Sequence, residues 1–364
     1  MHTPAELVTL AFRNPAVIHQ FSLGDWDRLV RQARQADLLA RLHNLLCKNG
    51  FDAAIPAVAR WHFEAATVHA EIQKAGLRRE LKRLREQLAG LDFPLVALKG
   101  TAYVAADLLA ASGRHIDDID LLVPLERLAE VESALASAGW HAAHLPEYDQ
   151  RYYRRWRYFA TLLQHLRHAT MVNLHHAIVP DTARFRPDAT RLRRRATEVP
   201  SFPGVAVLST EDRILYAATL MFHDGELPHG LRDLSDLDLL LRQAASEANF
   251  WSRLLIRAEE MELGRPLFYA LRYAQDFFDT PVPDEVQAGL TSVAPSRATL
   301  RLMDGIYTRM LAPQHHSCED DLAPLARQAV YLRAHWLRRP PRLLVPHLLH
   351  KVFISPRQRD PRPA

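Results

Sequence analysis

Cysteine is scarce in this chain of 364 residues, in which only Cys47 and Cys318 occur, far apart in the sequence. Two distant cysteines do not form the disulfide framework that small secreted domains rely on. Residues 1–14 also lack a basic start followed by an apolar stretch and a small-residue cleavage site, and their pattern is typical of a helix rather than a signal peptide. We therefore expect a reducing, cytoplasmic location.

Long apolar runs are lacking as well. Nowhere do about 18 uninterrupted apolar residues occur, so we expect no membrane span. With 48% hydrophobic and 24% charged residues, the composition is that of a folded globular protein and argues against long disorder. The length allows two or three domains with cores of their own.

The formal net charge is +4 and the isoelectric point is about 9.1, mostly because of arginine. Clusters of arginine lie at residues 191–195 and 333–342. Such an excess suits ligands that carry phosphate, although solvated helix faces produce it too. The basic runs lack interleaved aromatic residues and any recognisable reader motif, so we do not expect direct binding to nucleic acid.

The apolar pattern predicts an α+β protein in which a small mixed-sheet core is flanked by N- and C-terminal helical regions. Residues 1–90 are typical of helices, and residues 67–90 predict one long helix that ends at Gly90. Residues 209–364 are typical of helices again, beginning with Ser209 or Thr210 as a helix cap. The core lies between them, at residues 91–208.

Strands and short helices alternate within this predicted core. Residues 93–98 form a short apolar run typical of a buried strand, and a helix should follow from Thr101, as its N-cap, to about Ala111. A second strand is predicted at 117–123, and a helix after Pro124. Further strands are predicted at 158–165, 170–179 and 205–208.

Two carboxylates in the second strand indicate chemistry. Residues two apart on a strand point to the same side, so Asp118 and Asp120 should present their carboxylates in one direction. Two carboxylates so close repel each other unless a proton or a cation intervenes. Hard carboxylate oxygens suit Mg²⁺, which can bridge to the phosphates of a nucleotide.

The residues around this pair fit a nucleoside triphosphate. Gly100 allows the backbone to approach a phosphate closely, and the helix that starts near Thr101 offers unpaired N–H groups and a positive dipole end. Lys99 and Arg114 add the positive charges that a triphosphate needs. Strand, glycine turn, helix and Asp-x-Asp strand together predict a phosphoryl-transfer site.

The motifs resemble those of a known family. Lys99-Gly100, a helix, Arg114-His-Ile-Asp-Asp-Ile-Asp-Leu-Leu-Val123 and a helix ending Ala-Gly-Trp140 resemble the bacterial putative nucleotidyltransferases of the DNA polymerase beta superfamily. Val172-Asn-Leu-His175 resembles the Val-Asp-Leu-His strand of that family. His223, His229-Gly-Leu-Arg232 and Leu234 through Leu237 resemble its C-terminal helical signature.

The resemblance implies Mg²⁺-dependent transfer of a nucleoside monophosphate from an NTP to an acceptor, which is a small molecule, a peptide or a protein. Asp118 and Asp120 would hold the metal, and a third acidic residue would complete the site. That third position falls on Asn173, whose amide oxygen can coordinate a cation but which cannot act as a base. His175, two residues further on and on the same side of the strand, could substitute.

Less specific interpretations remain open for these residues. The two aspartates could lie at a solvated strand end, and Arg114 could pair with Asp117 or Asp118 as a structural ion pair. Thr101 could serve as a helix cap only. The second Asp-x-Asp, at residues 236–238, lies on a predicted helix, where Asp236 is expected to pair with Arg232 one turn away. Asn173 also leaves open a non-catalytic module that binds a nucleotide or a partner.

Overall fold

The fold is described from a computed structural model. It describes residues 6–142, 159–167, 170–180, 182–183, 185, 187–224, 227 and 229–338. A seven-stranded mixed sheet is flanked by helices, which confirms the predicted α+β class. Among the described helices, none combines the length and the hydropathy needed to cross a membrane.

Four α-helices precede the sheet. They are α1 (Leu7–Arg13), α2 (Leu23–Gln35), α3 (Leu39–Lys48) and α4 (Ala57–Gln87), with 3-10 turns at Pro15–Gln20 and Asp52–Ala54. A capping box fixes the start of α2, because the Ser22 side chain accepts from the Asp25 backbone and the Asp25 side chain accepts in return. The predicted long helix is α4, which starts ten residues earlier than residue 67 and ends before Gly90.

The seven strands are short. They are β1 (Leu95–Ala97), β2 (Asp118–Leu122), β3 (Trp140–Ala142), β4 (Phe159–His165), β5 (Met171–His175), β6 (Thr197–Val199) and β7 (Phe202–Val207). Their order in the sheet is β3-β4-β5-β2-β1-β7-β6. β2 therefore lies in the middle, parallel to β5 and antiparallel to β1. The strand predicted at residues 170–179 ends at His175, and β3 and β6 were not predicted.

The register between β2 and β5 positions the polar residues of both strands. Asp118 lies opposite Met171, and Asp120 lies opposite Asn173. Leu122 lies opposite His175. Because side chains alternate between the faces of a sheet, this register places the carboxylates of β2 and the side chains of residues 173 and 175 on one face.

Short helices connect these strands. They are α5 (Lys99–Ala105), α6 (Leu128–Ser137) and α7 (Ala189–Arg194), with 3-10 turns at Leu109–Ala111 and Leu125–Arg127. The helix predicted from Thr101 to about Ala111 is thus α5 followed by a separate 3-10 turn. Asp107, with a φ of +50°, interrupts the two.

The C-terminal region is helical, as predicted, as far as the described residues extend. Its helices are α8 (Thr210–Thr219), α9 (Gly230–Ala244), α10 (Phe250–Glu260), α11 (Gly264–Phe278), α12 (Asp284–Gly289), α13 (Arg297–Leu311) and α14 (Ala323–Arg338). A π-helical turn, Leu220–Asp224, continues α8. The Ser209 side chain accepts from the backbone N–H of Asp212, which confirms the predicted cap of α8.

One cluster of buried apolar side chains connects the sheet to both helical regions. It includes Leu29 of α2, Leu121 of β2 and Leu237 of α9. Such a shared core fixes the helices against the sheet and leaves little freedom for the residues between them. The division of the chain at residues 90 and 208 into three domains stays a prediction.

Candidate functional site

The two predicted carboxylates converge. Asp120 is buried, with 2% of its surface exposed, and Asp118 at the start of β2 is half-buried. On the neighbouring strand β5, Nδ2 of Asn173 donates a short hydrogen bond to Oδ2 of Asp118 and lies 3.4 Å from Oδ1 of Asp120. Because one amide nitrogen reaches both carboxylates, the two acidic groups face a common point.

Two further groups contact Asp120. Nζ of Lys99 lies 2.9 Å from Oδ1 of Asp120, and Nε2 of His175 lies 2.6 Å from the same oxygen. His175 is buried, whereas 32% of the Lys99 side chain is exposed. The structure thus brings together five of the predicted site residues, Lys99, Asp118, Asp120, Asn173 and His175.

The two carboxylates differ in pKa. Burial, and then the charge of Asp120, raise the pKa of Asp118 to about 6. Burial would also raise the pKa of Asp120, but the Lys99 ammonium and the hydrogen bond with His175 outweigh it and hold that pKa below the ordinary value. Asp120 is therefore ionised well below neutral pH, whereas Asp118 loses its proton only near pH 6, close to the working range of many enzymes.

The turn from β1 into α5 positions Lys99. This residue has a φ of +47°, a left-handed conformation that is uncommon outside glycine. Such outliers persist where the surrounding structure fixes them, and they cluster at functional sites. From this turn, the Lys99 side chain reaches Asp120. Gly100 is buried beside Ile116, whose side chain would lie 3.2 Å from an added Cβ, so its lack of a side chain serves packing.

Thr101 is not the N-cap of α5, contrary to the prediction. The helix begins at Lys99, with Leu98 as its N-cap and no side-chain cap. Thr101 is fully buried, and its Oγ1 accepts a hydrogen bond of 3.1 Å from the backbone N–H of Asp120. Its hydroxyl therefore fastens α5 to the strand that carries the carboxylates.

Arg114 does not pair with Asp117 or Asp118, contrary to that alternative. Its guanidinium is buried and lies 2.7 Å from Asp236 and 3.5 Å from Asp233, both on α9. Asp117 pairs instead with His115, at 2.7 Å. The ion pair ties the segment before β2 to the C-terminal helices and weighs against a role of Arg114 at a phosphate, a role that stays a prediction.

The expected pairing of Asp236 with Arg232 is also wrong. Asp236 is buried between Arg114 and Arg41, whose Nη1 lies 2.7 Å from Oδ1. Arg232 pairs with Asp37, at 2.7 Å, and with Asp233, at 3.1 Å. Its place on a helix identified Asp236 as structural, but nothing in the local pattern indicated partners that lie far away in sequence.

Comparison with known proteins agrees with the motif. A family model described as "Uncharacterised nucleotidyltransferase" matches residues 22–279, which includes the whole of the site. The chain belongs to this nucleotidyltransferase family. A nucleotide is accordingly the substrate class that the family implies.

The other comparisons give no further information on function. No curated protein matches the chain. Among solved structures, the crystal structure of JHP933 from Helicobacter pylori is 16% identical and covers 75% of this chain and 97% of its own. Its TM-score is 0.28, which is too low for the superposition to support a structural argument.

The donor set of this site fits a hard cation. Asp118 and Asp120 supply carboxylate oxygens, and Asn173 supplies an amide oxygen when its side chain turns by half a rotation about its last bond. The Nδ2 atom of Asn173 now lies between the two carboxylates, where a positive group is favoured. Lys99 and His175 both contact Oδ1 of Asp120.

Proposed function

We propose that this chain is a Mg²⁺-dependent nucleotidyltransferase of the DNA polymerase beta type, which transfers NMP from an NTP to an acceptor hydroxyl. The acceptor is carried by a small molecule, a peptide or a protein. The convergence of Asp118 and Asp120 on one point, opposite an oxygen-bearing side chain of the next strand, carries this proposal. The match to the nucleotidyltransferase family supports it independently.

Asp118 and Asp120 would hold the cation, with Asn173 as a third ligand. When bound, Mg²⁺ would neutralise the phosphate charge that builds up during transfer. Lys99 keeps Asp120 ionised and, because its side chain is partly exposed, is also placed to contact a phosphate oxygen. Gly100 and Thr101 shape the turn beneath this side chain.

The transfer itself requires a proton acceptor. A bond forms between the acceptor oxygen and the α-phosphorus while the bond to the pyrophosphate leaving group breaks, and the hydroxyl proton must leave. Asn173 cannot take it. His175 is the remaining candidate base on this face, but it is buried with 1% exposure and bound to Asp120, so we assign it first to positioning that carboxylate.

The proposal is tested by incubating the purified chain with Mg²⁺, each of four labelled NTPs, and a panel of acceptors that includes the chain itself. We expect Mg²⁺-dependent incorporation of labelled NMP, reduced at least about hundredfold in Asp118→Asn and Asp120→Asn. Asp117→Asn is the matched control, because this neighbouring carboxylate is exposed and bound to His115. Equal loss in all three variants, or no binding of Mg²⁺–NTP by calorimetry, would reject the proposal.

The rival function is a module that binds a nucleotide or a partner without catalysis, and the amide at position 173 favours it. Asn173→Asp restores a third carboxylate 3.4 Å or less from the other two, so it should strengthen Mg²⁺ binding roughly tenfold. If the wild-type chain is an impaired enzyme, turnover should rise as well. Binding of Mg²⁺–NTP with no turnover in either form would instead support the rival.

A further inference from the structure

A second group of possible ligands lies in the N-terminal helices. His43 and Cys47 are four residues apart on α3, so their side chains share one face of the helix. Asp52 follows in the next 3-10 turn. A ring nitrogen of His43, Sγ of Cys47 and a carboxylate oxygen of Asp52 all lie within 4.8 Å of one another.

The end of α3 explains why Asp52 returns to this face. Gly50 has a φ of +77°, its N–H bonds to the carbonyl of Cys47, and the N–H of Phe51 bonds to the carbonyl of Leu46. This pair of bonds is a Schellman motif, which turns the chain back across the last turn of the helix. The backbone hydrogen bonds at the end of α3 therefore determine the position of Asp52.

The distances match a tetrahedral metal site. Oδ1 of Asp52 lies 3.6 Å from Nε2 of His43 and 3.6 Å from Sγ of Cys47. A tetrahedral Zn²⁺ with bonds of about 2.0 to 2.3 Å separates its ligand atoms by about 3.3 to 3.8 Å. The two distances from Oδ1 of Asp52 thus already match the ligand spacing around a bound Zn²⁺.

His43 is oriented as a ligand. Its Nδ1 lies 2.8 Å from Oγ1 of Thr67 on α4, and a bond donated from Nδ1 leaves the lone pair of Nε2 facing Cys47 and Asp52. The residue is only 8% exposed, and Nε2 makes no hydrogen bond among the described residues. A buried ring nitrogen without a hydrogen-bond partner is costly unless something binds there.

The carboxylate is held in place too. Arg60 lies 2.9 Å from Oδ2 of Asp52 and donates to its backbone carbonyl, so Oδ1 remains for the group with His43 and Cys47. Burial and the nearby carboxylate raise the pKa of the Cys47 thiol, so binding of a cation to its sulfur would have to release a proton, and affinity should increase with pH. Cys47 is exposed, which gives an ion access from solvent.

We propose that His43, Cys47 and Asp52 form a binding site for a thiophilic divalent cation, with Zn²⁺ the best fit and solvent as the fourth ligand. One imidazole, one thiolate and one carboxylate are a ligand set that Zn²⁺ accepts, and Mg²⁺ does not favour the sulfur. The ion would connect α3, the 3-10 turn and, through Thr67 and Arg60, the long helix α4.

Cobalt titration tests this directly. The untagged, chelator-treated chain is titrated with Co²⁺, which takes zinc sites and gives thiolate-to-cobalt charge-transfer absorption when a cysteine binds. We expect one equivalent to produce this band, and Zn²⁺ to abolish it. The band should be lost in Cys47→Ser. In His43→Ala and Asp52→Asn, the affinity for Co²⁺ should fall at least about tenfold. Circular dichroism and thermal melts verify that each variant is folded.

Matched variants identify the source of any signal. Cys318→Ser removes the other thiol, and the double change of Asp118 and Asp120 to Asn removes the proposed Mg²⁺ ligands, so both should keep the band. Thr67→Val should lower the affinity, whereas Thr67→Ser should restore it. The absence of a band in the wild-type chain, or a band that survives in Cys47→Ser, would overturn the proposal.

Discussion

At the scale of single residues, the two carboxylates of the site have different electrostatic environments. Asp120 receives Lys99 and His175, whereas Asp118 receives the amide of Asn173. The amide is a weak substitute for a full positive charge, so Asp118 carries most of the electrostatic cost. Without a bound cation, the repulsion between Asp118 and Asp120 therefore destabilises the fold, although the proposed function needs both residues.

Asp118→Asn should consequently stabilise the metal-free protein. The pKa of Asp118 is raised from 3.8 to about 6, so the stability that its protonated form contributes is complete below about pH 4 and is lost as the pH rises through 6. At pH 8 we expect the variant to gain about 1 to 2 kcal/mol in unfolding free energy, and this gain should disappear towards pH 4. Denaturant unfolding without divalent ions measures it.

Two comparisons make that result specific. The pKa of Asp117 is lowered by its hydrogen bond with His115, so Asp117→Asn should show no such gain at pH 8. Adding Mg²⁺ should stabilise the wild-type chain and leave Asp118→Asn unaffected. A variant that is less stable than the wild-type chain at pH 8 without metal would show that repulsion between the two carboxylates does not dominate.

At the scale of secondary structure elements, the site depends on the contact between α5 and β2. The buried Thr101 hydroxyl accepts from the backbone N–H of Asp120, and the N–H of Leu98 donates to the carbonyl of the same residue. Both backbone groups of Asp120 are thus bonded to the turn that carries Lys99. This arrangement fixes the distance between the lysine and the carboxylate.

Thr101→Val tests that contact. It keeps the shape of the side chain and removes the acceptor, which leaves a buried N–H unpaired and should cost about 1 to 3 kcal/mol in unfolding free energy. Thr101→Ser keeps the hydroxyl and should cost less. If Thr101→Val weakened Mg²⁺–NTP binding without loss of stability, the predicted nucleotide-binding role would describe the residue better than our structural one.

The elements show which parts of the fold the sequence could predict. The apolar runs before Lys99 and after Asp120 predicted β1 and β2 correctly, and with them the side on which the two aspartates lie. β3 and β6 have three residues each, too few for an alternating pattern to be recognised. The left-handed conformation of Lys99 could not be predicted, because a glycine stands next to it and would be the expected residue there.

At the scale of the whole molecule, one buried carboxylate joins three regions of the chain. Asp236 of α9 contacts Arg41 of α3 and Arg114 before β2. Gly113 allows this approach, since a Cβ there would lie 2.4 Å from the backbone nitrogen of Arg41. Helical spacing predicted that Asp236 pairs with a residue one turn away. Its partners in the structure are 195 and 122 positions distant in the sequence. Local spacing carries no information about such contacts.

Asp236→Asn should therefore destabilise the whole protein and not only the site. The change leaves two buried guanidinium groups without their shared counter-charge, and removing one partner of a buried ion pair costs about 3 to 5 kcal/mol. Asp27→Asn is the control, because its pair with Arg31 on α2 is exposed to solvent, so its loss should hardly change the free energy of unfolding. Denaturant unfolding should show one cooperative transition shifted for Asp236→Asn, since α3, the sheet and α9 share a core. Two separate transitions would mean that the helical regions unfold independently of the sheet, in which case Asp236 merely fastens neighbouring units together.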